Sequence, residues 1–185
     1  RRNSNNKRVK RVLGKTNLAY WLTPHDVDLI RILSQSSIKS VFAQSRGKIN
    51  TADDYISASF KFKNNITASL DIFWCYPPVS PLCREFSFEV RGNKGVIEIN
   101  DFDNNVNIFL DENKVSSIDT YEFFKVENKY HGYFQIMIDN FISEILENKK
   151  DMKLSSDIRE NSIICEMIRL SILEERVINA EEIKC

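Results

Sequence analysis

The feature that most constrains the fold is a stretch in which apolar and polar residues alternate with a period of two. Between Tyr55 and Lys63, one side of the chain is apolar and the other polar: Ile56, Ala58, Phe60 and Phe62 against Ser57, Ser59, Lys61 and Lys63. This alternation predicts a half-buried strand. Asn64-Asn65 then favours a tight turn, and residues from Thr67 to Trp74 resume the pattern. The stretch therefore predicts an antiparallel hairpin.

Further strands are predicted on both sides of this hairpin. Ile38 to Ala43 precedes it, and Phe86, Phe88 and Val90 alternate with charged or polar residues after it. A turn at Gly92-Asn93-Lys94-Gly95 leads to a return strand, and residues 96–99, 106–110 and 115–121 continue the series. Strands that follow one another through short turns imply a mainly antiparallel sheet.

A helix start precedes the strands. Thr23 is predicted to cap it, Pro24 suits the first helical position, and Asp26 complements the helix dipole in the first turn. The helix is predicted to end near the Ser34-Gln35-Ser36-Ser37 cluster. Its apolar stripe consists of Val27, Leu29, Ile30 and Leu33.

Two more helices are predicted in the last third of the chain. The first runs from about His131 to Glu147, with Phe134, Ile138, Phe141, Ile142 and Ile145 on one face. Ser155 or Ser156 can cap the second, which runs to about Glu175 before a short strand at 176–179. We expect Phe86, Phe88, Phe134 and Phe141 to be core. The predicted class is α+β, a mainly antiparallel sheet with helices packed on one face.

Composition narrows the classes of protein further. The 185 residues are 42% hydrophobic and carry zero formal net charge, so one globular domain is expected and no strong field attracts nucleic acid or membrane. No apolar run is long enough to span a membrane, and we see no signal peptide. The four cysteines lack metal-site spacing, which favours reduced thiols in a cytoplasmic protein. The basic residues of 1–15 indicate a solvated strand end or loop, with phosphate binding as the alternative.

The candidate site lies at the first helix. His25 and Asp28 are three residues apart and so share a helix face, just after Trp21. No third metal ligand has recognisable spacing, so no metal is expected. Two further aromatic pairs are expected either to line a ligand pocket by stacking or to form the edge of the core: Trp74 with Tyr76, and Tyr130 with His131.

The order and spacing of several short phrases resemble the C-terminal domain of the Gfo/Idh/MocA family of NAD(P)-dependent sugar and cyclitol oxidoreductases. The helix phrase His25-Asp26-Val27-Asp28-Leu29-Ile30 resembles the family's His-x-x-Asp helix. Similar phrases follow in the family's order: Val41-Phe42-Ala43, Asp53 through Leu70, Val90 through Ile97, Tyr130 through Phe141, Ser155-Ser156-Asp157 and Ser171 to Ile178. The resemblance covers most of the chain and implies a C-terminal domain like that of glyceraldehyde-3-phosphate dehydrogenase.

The resemblance also implies a function. Residues 1–185 would be one C-terminal domain for substrate binding and oligomerisation, within a dehydrogenase that acts on a sugar, cyclitol or related polyol. Hydride would pass from a C–OH carbon to NAD or NADP, with His25 in proton transfer, since histidine ordinarily titrates near neutral pH. Asp28 would orient His25 or contact substrate, or else bond to a neighbouring backbone group.

Two departures from the family pattern matter. The family's N-terminal half carries a glycine-rich turn and a Glu-Lys-Pro lysine, whereas the five glycines here form no GxGxxG and the tripeptide is absent. The dinucleotide-binding domain is therefore missing from this chain, no cofactor-binding residue is identified, and the chain alone is expected to bind no cofactor and to be inactive. Many members also place an Asp four residues before the histidine, where this chain has Trp21. Trp21 is therefore expected to line the same substrate pocket as His25, with an apolar wall in place of the carboxylate.

The alternative is a non-catalytic binding or oligomerisation module. The polar side of the predicted sheet is expected to face either solvent or a second copy, and in the resembling family this sheet mediates oligomers. A polar composition predicts a wet interface. The residues are Ser57, Ser59, Lys61, Lys63, Glu85, Ser87 and Glu89.

Overall fold

The computed structural model describes residues 2–4, 15–46, 55–73, 84–100, 105–110, 114–119, 124–147 and 152–183. The chain forms two compact units. The first contains Arg1–Glu85 and Lys153–Cys185, and the second contains Phe86–Met152.

The predicted helices and strands occur in the predicted order, but the structure adds a short helix before Thr23 and a hairpin within residues 124–131. The last helix begins at Met152, so neither Ser155 nor Ser156 caps it as predicted. The helices are α1 (Leu18–Trp21), α2 (Thr23–Ser34), α3 (Tyr133–Leu146) and α4 (Met152–Glu174). The strands are β1 (Arg2–Ser4), β2 (Ile38–Arg46), β3 (Tyr55–Phe62), β4 (Thr67–Phe73), β5 (Arg84–Gly92), β6 (Gly95–Asn100), β7 (Asn105–Leu110), β8 (Lys114–Asp119), β9 (Phe124–Val126), β10 (Lys129–His131) and β11 (Ile178–Asn179).

In the first unit the strands are ordered β11-β2-β3-β4-β1. Each neighbouring pair is antiparallel except β1 with β4, which is parallel and pairs Arg2 with Ile72. The predicted hairpin is present, because β3 and β4 pair in register from Tyr55 with Phe73 to Lys61 with Thr67. The predicted turn is also confirmed, since Asn65 adopts a left-handed φ of 68°.

The core of the first unit lies between one face of this sheet and the helices. The period-two prediction is confirmed, because every second residue of β3 is buried, whereas Ser59 and Lys61 are exposed. The sheet contributes Val41, Ala43, Ile56, Ala58, Phe60, Phe62, Leu70 and Ile72, and the helices contribute Leu18, Ala19, Val27, Ile30, Ile164, Met167 and Ile168. The α+β class, with a mainly antiparallel sheet and helices on one face, is confirmed.

The start of α2 differs from the prediction. Asn17 caps the short helix α1 by accepting a hydrogen bond from the Ala19 N–H at 2.8 Å. Thr23 does not cap α2: it is already helical and fully buried, and its hydroxyl donates to the Leu18 carbonyl instead. Pro24 lies in the first turn as expected, and the helix ends with Gln35 in a left-handed conformation. Leu33 is 46% exposed, so the buried stripe is narrower than predicted.

In the second unit, β5 to β8 form an antiparallel meander. The predicted turn between Gly92 and Gly95 is present, and its geometry requires a glycine at position 95. Gly95 has a φ of 154°, and a Cβ at this position would lie 2.1 Å from the Phe109 carbonyl oxygen. A larger residue would therefore clash with the neighbouring strand.

The prediction for residues 124–147 needs two corrections. His131 does not begin the helix, because it ends the β9–β10 hairpin, and α3 begins at Tyr133 after Gly132, whose φ is 109°. Phe134 and Phe141 are not core residues, since they are 40% and 62% exposed. None of the described helices is long and apolar enough to cross a membrane.

Candidate functional site

A cavity of about 520 Å³ lies in the first unit, where residues of α1 and α2 face residues of α4. It contains the predicted pair His25 and Asp28. The full lining is Tyr20, Pro24, His25, Asp28, Ile158, Asn161, Ser162 and Cys165. The cavity therefore joins the sequence's first helix to its last, and it combines one imidazole, one carboxylate and one amide with apolar walls.

His25 is positioned by the first turn of α2 and is exposed. Within the part of the chain that the structure describes, no side chain hydrogen-bonds to its imidazole ring. No hydrogen bond joins Asp28 to His25 among the described residues, and Asp28 Oδ1 accepts from Asn161 and Arg31. The imidazole is therefore available to a ligand in the cavity, as acceptor or as donor according to protonation state.

Arg31 links α2 to α4 and contacts two residues of the cavity lining, Asp28 and Asn161. Its side chain is only 12% exposed, and its guanidinium contacts three carboxylates and one amide. The contacts are to Asp157 Oδ1 at 3.0 Å, Asn161 Oδ1 at 3.1 Å, Glu160 Oε2 at 3.2 Å and Asp28 Oδ1 at 3.4 Å. A planar guanidinium with several fixed donors suits such a junction, so Arg31 fixes the spacing of the two helices.

Asp28 and Asn161 form a direct pair at the cavity wall. The Asn161 amide donates from Nδ2 to Asp28 Oδ1 at 2.8 Å, and Arg31 donates to the same carboxylate oxygen. Every hydrogen bond that the described residues donate to Asp28 falls on Oδ1. Because each carboxylate oxygen can accept, Oδ2 is left for a ligand.

Tyr20, at the cavity wall, belongs to a hydrogen-bonded cluster with Glu166 and Arg169. The Tyr20 hydroxyl donates to Glu166 Oε2, and Arg169 donates to both oxygens of the same carboxylate. Hydrogen bonding from Arg169 lowers the pKa of Glu166, so Glu166 is ionised at neutral pH. Partial burial, followed by the hydrogen bond to Glu166, raises the pKa of Tyr20 to about 12. Tyr20 is therefore a neutral phenol under ordinary conditions.

Cys165 contributes an apolar wall to the cavity. It is a free thiol, 1% exposed, and burial raises its pKa to about 12, so it is not a nucleophile at neutral pH. Among the described residues, no group of three or more His, Cys, Asp or Glu side chains could hold a metal ion.

The sequence profile of the GFO/IDH/MocA C-terminal domain matches residues 1–98, which include the helix carrying His25 and the β3–β4 hairpin. The chain belongs to the GFO/IDH/MocA family. The resemblance predicted from the sequence is thus confirmed, and the matched part is the family's C-terminal domain. A search of curated protein sequences finds no match to the chain.

Solved structures of low sequence identity share the fold of this GFO/IDH/MocA domain. An oxidoreductase from Agrobacterium radiobacter in complex with NAD+, L-tartaric acid and magnesium is 10% identical, with a TM-score of 0.76 over 97% of this chain and 55% of its own. UDP-N-acetylglucosamine 3-dehydrogenase GnnA from Acidithiobacillus ferrooxidans is 14% identical, with a TM-score of 0.71 over 92% and 51%. Levoglucosan dehydrogenase, in complex with NADH and levoglucosan, is 16% identical, with a TM-score of 0.70 over 89% and 50%.

The chain spans about half the length of these neighbours. At this level of identity the likeness establishes the fold of the GFO/IDH/MocA domain and nothing finer.

The other predicted site residues are distributed differently. Trp21 is 42% exposed and does not line the cavity, whereas its neighbour Tyr20 does. Trp74 and Tyr76 lie outside the described residues. Tyr130 and His131 are exposed on β10 in the second unit, where the Lys125 ammonium lies 5.5 Å from the centre of the Tyr130 ring. Their roles stay predictions.

Asn161 and Arg31 are the residues that the sequence reasoning missed. A signal existed in α4, because Asp157, Glu160 and Asn161 follow an i, i+3, i+4 spacing and so form one polar strip on a helix. A buried arginine three residues after Asp28 on α2 is the natural partner of such a strip. Local patterns do not show, however, which two helices meet.

Proposed function

We propose that this chain is the substrate-side domain of an NAD(P)-dependent dehydrogenase that oxidises a sugar, cyclitol or related polyol, and that the reaction takes place at the cavity around His25. The observation that carries this proposal is the combination of an exposed imidazole with a carboxylate and an amide in one cavity of the matched family domain. Solved neighbours with NADH or NAD+ bound support the cofactor class.

The role of this chain in the reaction is to bind the alcohol and to move its proton. Oxidation of a C–OH carbon requires loss of the hydroxyl proton as the hydride leaves, and a positioned base accelerates that step. His25 is exposed at the cavity and is bound to no described side chain, so its imidazole can accept this proton. Asp28 holds a further substrate hydroxyl. The hydride acceptor is a nicotinamide.

The dinucleotide itself does not fit the residues of this chain. Pyrophosphate sites of this kind use a glycine-rich turn before a helix, and the five glycines here provide none. We therefore assign cofactor binding to the remainder of a full-length protein, and we expect the 185 residues alone to bind no cofactor and to be inactive.

The experiment is an assay of the full-length protein for reduction of NAD+ and NADP+. The substrate panel contains three neutral polyols, levoglucosan, L-sorbose and myo-inositol, and one anionic diol, L-tartrate. Oxidation of a polyol by the full-length protein, and none by the 185-residue chain, is the expected result. Oxidation of none of them, with no reduced cofactor formed, would contradict the proposal.

A second candidate function is a binding or oligomerisation module, in which the outer face of the first unit's sheet contacts another copy. This face is open: Ser59 and Lys61 are exposed, and Phe42 and Tyr55 are each 36% exposed. Light scattering tests it. A dimer that Lys61→Glu dissociates would favour this face as the interface, whereas a monomer at high concentration would exclude it. A dimer that leaves the polyol assay negative would favour the module over the enzyme.

A further inference from the structure

The hydrogen bond from Asn161 to Asp28 has a fixed direction, because Arg31 sets the orientation of the Asn161 amide. An asparagine amide can turn over and exchange its donor and acceptor ends. Arginine has only donors, so its Nε, 3.1 Å from Asn161 Oδ1, requires the carbonyl end of the amide on its side. The NH₂ end then faces Asp28, to which it donates at 2.8 Å.

This arrangement places an acceptor and a donor side by side at the cavity wall. Asp28 Oδ2 accepts no hydrogen bond from the described residues, and the NH₂ group of Asn161 has a second N–H beyond the one given to Asp28. Two hydroxyls on adjacent carbons complement such a pair, because one can donate to the carboxylate while the other accepts from the amide.

The charges around the pair restrict the ligand further. Asp28, Asp157 and Glu160 surround the single guanidinium of Arg31, so the junction carries more negative than positive charge. No lysine or arginine is among the cavity's described lining residues. A phosphate or carboxylate next to this wall would meet repulsion without a lysine or arginine partner in the lining.

We propose that Asn161 is a substrate-binding residue that, with Asp28, holds the vicinal diol of an uncharged polyol, and that Arg31 is the positioning residue that sets the direction of the amide. This inference rests on the proposed function and adds to it two residues and the requirement for an uncharged vicinal diol. Arg31 touches no substrate. It acts through the two side chains that it orients.

The test uses the full-length protein and the same four-compound panel, with kcat, KM and the thermal unfolding midpoint measured for each variant. Asn161→Ala removes the donor, and loss of one hydrogen bond to a ligand corresponds to an increase of about tenfold in KM for the neutral polyol. We expect kcat to change less than KM. Asn161→Asp keeps the shape but replaces the donor by a second acceptor, and it should raise KM at least as much.

Arg31→Lys separates positioning from charge and has a matched control. Lysine retains the positive charge but lacks the planar fork that holds Asp28 and Asn161 together, so KM should rise and the unfolding midpoint should fall only modestly. Arg159→Lys makes the same substitution at an exposed residue of α4, and it should leave KM unchanged.

Three results would overturn the inference. A KM for neutral polyols that is unchanged in Asn161→Ala and Asn161→Asp would remove Asn161 from the site. A wild-type preference for L-tartrate over every neutral polyol would contradict the substrate class. Oxidation of no polyol at all would refute the proposed function and this inference with it, whereas polyol oxidation with unaffected Asn161 variants refutes the inference alone.

Discussion

The two compact units of this domain differ in what their apolar residues contact. In the first unit, the apolar face of the β2–β4 sheet is buried against the helices, and Phe62 is only 1% exposed. In the second unit, the apolar residues of α3 remain at the surface, with Phe141 62% and Leu146 80% exposed. All of the described buried hydrophobic residues belong to the first unit.

The difference shows that the presence of an apolar helix face and the burial of that face are two separate properties. Helical spacing correctly predicted α3 and its apolar face, yet that face is exposed within this chain. Helical periodicity identifies an apolar face, but it does not show whether another element of the same compact unit covers that face. In the first unit the partner is present as the sheet, which gives that unit a core on which the cavity around His25 is built.

The largest expected effect comes from a pair of identical truncations, one in each unit. Phe62→Ala removes a fully buried ring and should lower the free energy of unfolding by about 3–5 kcal/mol. Phe141→Ala removes an exposed ring of the same size and should change it by no more than about 0.5 kcal/mol. Guanidinium unfolding of the chain measures both. Equal losses would show that the α3 face is covered in the folded protein and would end the contrast between the units.

A smaller effect is expected from serine truncations on α4. Ser171 is fully buried, and its Oγ accepts the Ala43 N–H of β2 at 2.8 Å. Ser171→Ala leaves this buried N–H without its acceptor and should cost about 1–3 kcal/mol of stability.

Ser162→Ala is the matched control on the same helix. Its hydroxyl is exposed and donates to the Ile158 carbonyl one turn earlier, so its removal should cost no stability. If Ser162→Ala proved as costly as Ser171→Ala, the contact between α4 and the sheet would not be what stabilises the first unit.

The smallest effect concerns the pH dependence of stability. The pKa of Tyr20 is raised above its ordinary value of 10.0 to about 12, so its contribution to stability is present below pH 10 and is lost as the pH rises toward 12. The difference in tyrosinate absorbance between wild type and Tyr20→Phe, followed against pH, should therefore show one tyrosine that ionises near pH 12 rather than near pH 10. A difference curve centred on the ordinary tyrosine value would contradict the contact between Tyr20 and Glu166.

The fold could largely be predicted from local patterns, and the exceptions have physical reasons. The β3–β4 hairpin has a strong alternation and an Asn-Asn turn. The β9–β10 hairpin was missed because its turn uses Glu127 and Asn128, both at positive φ, and glutamate is not a residue that marks such turns. The sequence predicts Thr23 as a cap because α1, which ends two residues earlier, has only four residues and a weak pattern.

The candidate site could be predicted only in part. The spacing of His25 and Asp28 on one helix face was sufficient to place both at one cavity. Asn161 hydrogen-bonds to Asp28 from 133 residues away in the sequence, and Tyr20 rather than Trp21 lines the cavity. Both facts depend on how helices pack, which no short window of sequence contains.

The most direct test of the central claim is the pH–rate profile of the full-length protein with His25→Asn and His25→Ala, on a polyol that the wild type oxidises. Loss of a general base should lower kcat by about 10²–10⁴-fold and remove the acid limb of the profile, while the unfolding midpoint stays near that of the wild type. Turnover and a pH profile close to those of the wild type would show that His25 is only a helix-start histidine, and the site would then be sought at Tyr130 and His131.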